Sequence, residues 1–322
     1  MSVISNCTET VIKNAAASLI EGNLVAFPTE TVYGLGADAT NEDAVSRVYE
    51  VKARPAGHPL IVHISSIEYL DKWARDIPEY AVKLARVFWP GPLTLILSRT
   101  NLAKNFITGW QDNVGIRVPS HAVALHLLKE FESQGGFGIA APSANRFGAV
   151  SPTSAHAVEE ELAKYLSVND QILDGGNCTV GVESTILDCT QSNPLILRPG
   201  AITKEMIENT LEISIELATL NNARMQVKAP GTLESHYSPK AKVYLSGTAT
   251  KGDGFIALSK FPTPKEAIRL ASPIDNDEYA RVLYEAFRLA DFKALQKIFV
   301  IPPVGKGIAD AINDRLTKST KR

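Results

Sequence analysis

An α/β fold is predicted for this 322-residue sequence: a sizeable twisted mixed sheet flanked by helices, followed by a small Rossmann-like α/β unit. Three observations point there. Short apolar runs bounded by Pro, Gly and Asn alternate with stretches of helical periodicity. The chain is longer than one hydrophobic core usually serves. The pattern also loosens between 211 and 240, at turn signals such as Pro230, Gly231 and Pro239, before strands resume. The organisation expected is therefore a larger α/β domain over 1–210, a linker over 211–240 and a small α/β domain over 241–322.

Residues 8–21 open the chain with a helix, since Val11, Ile12, Ala15, Ala16, Leu19 and Ile20 form one stripe between a Thr8 cap and a Gly22 stop. The apolar run NLVAF is a strand ending at Pro28. NEDAVSRVYEVK then begins a helix at Asn41, with acids in its first turn and Lys52 in its last. Further strands are read at 59–64, 92–98, 114–119, 137–142, 171–174 and 183–188. Helices fall around 78–88, 120–131 and 154–166, the last capped at Thr153 or Ser154. In the final part AKVYLS, GFIALS and KIFVIPP are strands, and 277–295 and 307–318 are helices.

A net charge of -2 and a pI near 6.3 provide no broad field for nucleic acid or an anionic membrane, so any anion site must be focal. Cys7, Cys178 and Cys189 have no CxxC spacing and fit a reducing compartment. The N-terminus lacks a basic region followed by an apolar one, and no window approaches ~18 apolar residues. A cytoplasmic protein with no membrane contact is expected.

Four segments carry chemistry. EVKARPAGHP places Lys52 and Arg54 on backbone bent by Pro55 and Gly57, a pairing suited to phosphate. APSANRFGAVSPTS follows a strand and precedes a helix, so Ser143, Asn145 and Ser151 sit among backbone N–H groups able to cradle an anion. Arg198 in LILRPG is stiffened by Pro199 and Gly200. Arg117 interrupts the apolar strand VGIRVP and needs an anionic partner, either a ligand or an internal carboxylate. In FPTETVYGLGADA, Thr29 and Thr31 bring hydroxyls to a loop loosened by Gly34 and Gly36. Its GLGADA lies too far from the preceding strand for a dinucleotide fingerprint. P-loop, HExxH and G-x-S-x-G motifs are absent, and His121 and His126 are not spaced for a shared metal.

In order along residues 10–205, FPTETVYGLG, K-x-R with HPL and VHI, GPLT, IRVP, PSAN, SPT, GVESTILD and LRPG resemble the threonylcarbamoyl-AMP synthase family, the YrdC-like enzymes. APGTLESHYSP is similar to the linker of the longer, two-domain members. The resemblance implies a YrdC-like catalytic domain that joins L-threonine, bicarbonate and ATP into threonylcarbamoyl-AMP and releases pyrophosphate. The product would serve threonylcarbamoyladenosine formation beside the tRNA anticodon, through downstream transfer proteins.

Carried over by position, the resemblance assigns ATP to Lys52, Arg54, His58, Asn113, Ser143, Asn145, Ser151, Arg198 and Tyr237, with Lys52 and Arg54 as the catalytic cations. It assigns threonine to Thr31, His63, Arg117, Ala141 and Ser184, with Thr94 as a pocket wall. Magnesium would arrive with ATP, with no metal held by protein alone. Asn113 stands where many members have threonine, and LESHY lacks the arginine that many relatives place before the HY pair. His236 and Tyr237 are nevertheless placed to close over the nucleotide. Two other readings are an RNA- or nucleotide-binding module, with weak salt-sensitive RNA contact, and carbamoyl transfer to another acceptor, as in hydrogenase maturation proteins.

Overall fold

The computed structural model describes residues 4–218, 227, 229–231 and 237–321. Much of the linker expected at 211–240, including His236, lies outside the described residues. Among those described, eleven strands form one mixed sheet. Their order is Ile4–Asn6, Gln171–Asp174, Val25–Phe27, Gly34–Asp38, Ile139–Ala140, Ile61–His63, Asn113–Arg117, Leu93–Ser98, Thr185–Asp188, Leu195–Arg198 and Glu216–Leu217.

Alternation along the central strands gives this sheet two different faces. Val62, Ile116, Leu93, Leu95, Leu97 and Leu187 enter the main core. The intervening Ile61, Ile96 and Ile186 belong to a second cluster with Leu197, Val227 and Ala229, so these two linker residues pack on the opposite face. The functional side chains also lie on that second face. A bulge between Ile196 and Arg198 resets the alternation at the end of its strand, where Arg198 turns to Ser184.

The opening helix forms over Glu9–Ile20, where Thr8 accepts from Val11 N, and buries Ile12, Ala15, Ala16 and Leu19 against Leu127, Leu128 and Phe131 of helix Ala122–Ser133. Helix Glu42–Lys52 is capped by Asn41 and stops at Ala53, whose left-handed backbone (φ 48°) turns the chain abruptly toward Arg54.

Some elements differ from the sequence reading. GLGAD, read as a flexible loop, is the strand Gly34–Asp38. Its glycines serve packing, because a Cβ on Gly36 would lie 2.7 Å from Ile139 Cγ2 and 2.8 Å from Phe27 Cε1. The expected strand 137–142 is confined to Ile139–Ala140. Glu183 and Ser184 precede their strand rather than forming part of it. The three-residue edge strand Ile4–Asn6 is too short to show periodicity.

Strands Lys242–Tyr244, Lys297–Val300, Gly254–Ile256 and Ile268–Ala271 form a second, wholly parallel sheet in that order. Helices Asn276–Phe292 and Ile308–Ser319 share a core with Val243, Ile256, Ile298 and Val300. Val32, Val150 and Val182 from the first unit enter this same core, so the two layers are joined by apolar contact. At the seam Gly181 (φ +84°) lies so close to the helix that a Cβ would come within 2.4 Å of Arg281 Cα. No helix among the described residues is long and apolar enough to cross a membrane.

Candidate active site

The strand ends, the 29–34 segment, the 141–143 turn and Pro230, Gly231 and Tyr237 enclose one cavity of about 60 Å³. It is lined by all five residues assigned to threonine: Thr31, His63, Arg117, Ala141 and Ser184. Arg54, Ser143, Arg198 and Tyr237 of the nucleotide set line it as well. Main-chain bonds hold the first segment to the SAN turn, since Leu35 N donates to Pro142 O and Ala144 N to Tyr33 O. Thr29 lies 2.9 Å from the Thr31 hydroxyl, which accepts from Arg117 Nη1 at 3.0 Å.

Arg117 therefore has an internal partner. Its Nη2 lies 2.7 Å from Glu30 Oε1, an acid the sequence reading passed over, although the orientation is not that of a hydrogen bond. His63 is buried, and burial followed by the nearby Arg117 charge lowers it to about 3, leaving the imidazole neutral at ordinary pH. Its Nδ1 has no hydrogen-bond partner. Arg54 donates from Nη2 to Pro59 O and lies 5.6 Å from the centre of the Phe147 ring, while its buried Nε has no partner. Burial lowers Arg54 to about 10, still cationic at neutral pH.

Arg198 holds both the carbonyl and the hydroxyl of Ser184 at 3.0 Å and also donates to Pro230 O. Ser184 in turn lies 2.8 Å from the Thr94 hydroxyl. Lys318 Nζ reaches across from the second unit to Gly231 O at 2.8 Å.

The structure does not bring five of the expected nucleotide contacts to this cavity. Lys52 is 1% exposed and donates to the carbonyls of Ser143 and Asn145, so it pins the SAN turn. Burial, then the Arg54 charge, lowers its pKa well below that of an ordinary lysine. Asn145 donates to Arg146 O and Ala149 O. His58 packs edge-on against Phe147. Asn113 lines a smaller neighbouring hollow with Thr94 and Pro230. Ser151, wholly buried, donates to Glu183 at 2.6 Å.

Glu183 lines the cavity and was missed, because one acid inside GVESTILD reads as an ordinary strand position. Burial opposes its charge, but Arg315, Arg198 and the Ser151 hydrogen bond outweigh it and bring the carboxyl down to about 2. Arg315 lies 132 residues away in sequence.

Comparison with known proteins gives a consistent result. The family model described as Telomere recombination matches residues 17–200, and that of the Threonylcarbamoyl-AMP synthase C-terminal domain matches residues 202–320. Threonylcarbamoyl-AMP synthase of Pyrococcus abyssi is 41% identical over 340 residues, covering 99% of this chain and 98% of that protein. The Bacillus subtilis threonylcarbamoyl-AMP synthase is 45% identical over 232 residues, 71% of this chain and 65% of its own. The crystal structure of P. abyssi Sua5 complexed with L-threonine superposes with a TM-score of 0.88 at 39% identity, covering 99% of this chain and 98% of that one.

Proposed function

This chain belongs to the threonylcarbamoyl-AMP synthase family, and from that premise we propose how its cavity carries out the synthesis of threonylcarbamoyl-AMP. The observation that carries the reading is a convergence of unsatisfied polar atoms. Arg54 Nε and His63 Nδ1 are buried without hydrogen-bond partners, Arg117 Nη2 meets only the misaligned Glu30 Oε1, and all three residues line one cavity. Buried polar atoms are rarely left so unless a ligand, an ion or ordered water completes them.

On this reading Arg117 Nη2 receives the threonine carboxylate, beside Glu30, and Ser184 and Thr31 supply hydroxyls. His63 is too weak a base to remove a proton near pH 7 and acts as a neutral hydrogen-bonding wall. The neutral threonine amine and bicarbonate give a carbamate and water. A carbamate oxygen then attacks the α-phosphorus, and the bond to the β-phosphate oxygen breaks to release pyrophosphate. Arg54 and Arg198 hold the phosphates, so catalysis is mainly positioning and charge compensation.

Magnesium would enter with the triphosphate. Among the described residues no three His, Cys, Asp or Glu side chains gather into a metal cradle, and protein donors already take both Glu183 oxygens. Phosphate and water oxygens would therefore be the ion's ligands.

A cavity of about 60 Å³ holds only a few waters, far short of a nucleoside triphosphate. Pro230, Gly231 and Tyr237, which cap it, would shift to admit substrates, while 1–210 supplies the catalytic groups and 241–322 supports the cap. Closure would protect the mixed anhydride from water until cytoplasmic transfer proteins deliver its threonylcarbamoyl group to tRNA.

The direct test is pyrophosphate release by wild type and Arg54→Ala. Release that needs both threonine and bicarbonate, without RNA, and falls sharply in the variant supports the reading. Release indifferent to threonine overturns it.

A further inference from the structure

Glu183 faces the cavity where Ser151 was expected, and we propose that it is a positioning residue through which the C-terminal layer sets the nucleotide side of the site. This rests on the function proposed above. Glu183 is 5% exposed. Its Oε1 accepts from Ser151, and its Oε2 accepts from Arg315 Nε at 2.8 Å and the Tyr284 hydroxyl at 2.9 Å. Tyr284 and Arg315 lie on the two C-terminal helices, are fully buried and do not line the cavity. They act on substrate only through what they hold.

Two routes lead from Glu183 to the nucleotide groups. The next residue, Ser184, holds the Arg198 guanidinium through both its carbonyl and its hydroxyl. The Arg315 guanidinium lies 5.2 Å from the centre of the Tyr237 ring, which lines the cavity and stacks near Tyr284. Arg198 lines the same cavity as Glu183 and is bonded to the residue that follows it, so it is the cation placed next to this carboxylate once Arg315 is removed. A buried carboxylate does not stay unpaired, so without Arg315 it would draw on Arg198 and neutralise a charge the triphosphate needs. With the C-terminal layer seated, Arg315 satisfies Glu183 and leaves Arg198 for the nucleotide.

The test uses the full chain carrying Arg315→Met, Glu183→Gln, the double variant, and Tyr284→Phe. Arg315→Met is expected to raise the KM for ATP by about tenfold or more while the KM for threonine changes by less than about threefold. The double variant recovers most of that loss, because no buried charge is left to compete for Arg198. Tyr284→Phe, which keeps the ring, raises the ATP KM by about two- to fivefold and carries the test if Arg315→Met does not fold.

A merely structural role would raise both KM values together, with the double variant no better than the single; that result overturns the proposal. So does an ATP KM within twofold of wild type in both Arg315→Met and Tyr284→Phe. Should the wild type release no threonine-dependent pyrophosphate, the functional reading falls, but ATP affinity measured by calorimetry still decides this inference. Weakening in Arg315→Met with recovery in the double variant supports it, and equal affinities overturn it.

Discussion

His63 and Arg117 are register partners on neighbouring parallel strands, so their side chains leave the same face of the sheet at adjoining strand ends. Burial and the neighbouring guanidinium together hold His63 at about 3. The unfolded chain binds a proton near pH 6.5 and the folded one does not, so stability is full above that value and declines as pH falls toward 3. Between pH 6.5 and 5 this residue alone costs about 2 kcal/mol. His63→Gln should flatten that part of the profile, measured as urea unfolding free energy at pH 7 and 5. Parallel profiles for the two proteins would contradict the assignment.

Arg117 is held by Glu30 and Thr31 with one N–H group left unaligned, so a planar fork is needed at this position. Arg117→Lys is expected to raise the KM for threonine by about 30-fold or more while ATP affinity changes by less than about threefold. Threonine titration at saturating ATP, with calorimetric ATP binding alongside, separates the two. An equal loss for both ligands would move Arg117 out of the threonine half.

Lys52 and Arg54 should part company. Lys52 pins two carbonyls of the SAN turn, and Lys52→Met is expected to lower stability by about 2 to 4 kcal/mol. Arg54→Ala, which empties a cavity-facing position, should lose more activity for each kcal/mol of stability lost. Urea denaturation and pyrophosphate release on both variants check this. A Lys52→Met protein as stable as wild type would mean that the pin is idle.

Gly181 meets the Asn276–Phe292 helix backbone to backbone, with φ +84°. Gly181→Ala is expected to cost about 2 to 3 kcal/mol, since neither side of the contact is a flexible side chain that can retreat. Thermal unfolding reads the loss, and an unchanged midpoint would show that the seam can open at no cost.

Where apolar runs met turn residues, the strands were legible, and Arg117 announced itself by interrupting one of them. Gly34–Asp38 was misread because glycine signals looseness in sequence, whereas here it permits close approach to Ile139 and Phe27. Thr31, His63, Arg117, Ala141 and Ser184 line one cavity because they sit on strands or in segments tied to them. Of the residues assigned to the nucleotide, Arg54, Ser143, Arg198 and Tyr237 line the same cavity, while Lys52 bonds the SAN turn: a lysine near a turn has the same sequence signature in either place. Glu183 could not be singled out, because its meaning depends on Tyr284 and Arg315, more than a hundred residues further along.

The strap over the cavity is gripped by its main chain: Arg198 takes the carbonyl of Pro230 and Lys318 that of Gly231. Every residue type offers a carbonyl, so such a grip places little demand on side-chain identity. Gly231 is the exception, since a Cβ there would lie 2.1 Å from the Tyr237 hydroxyl. At these two positions the grip thus depends on the main chain and one small residue, not on side-chain identity.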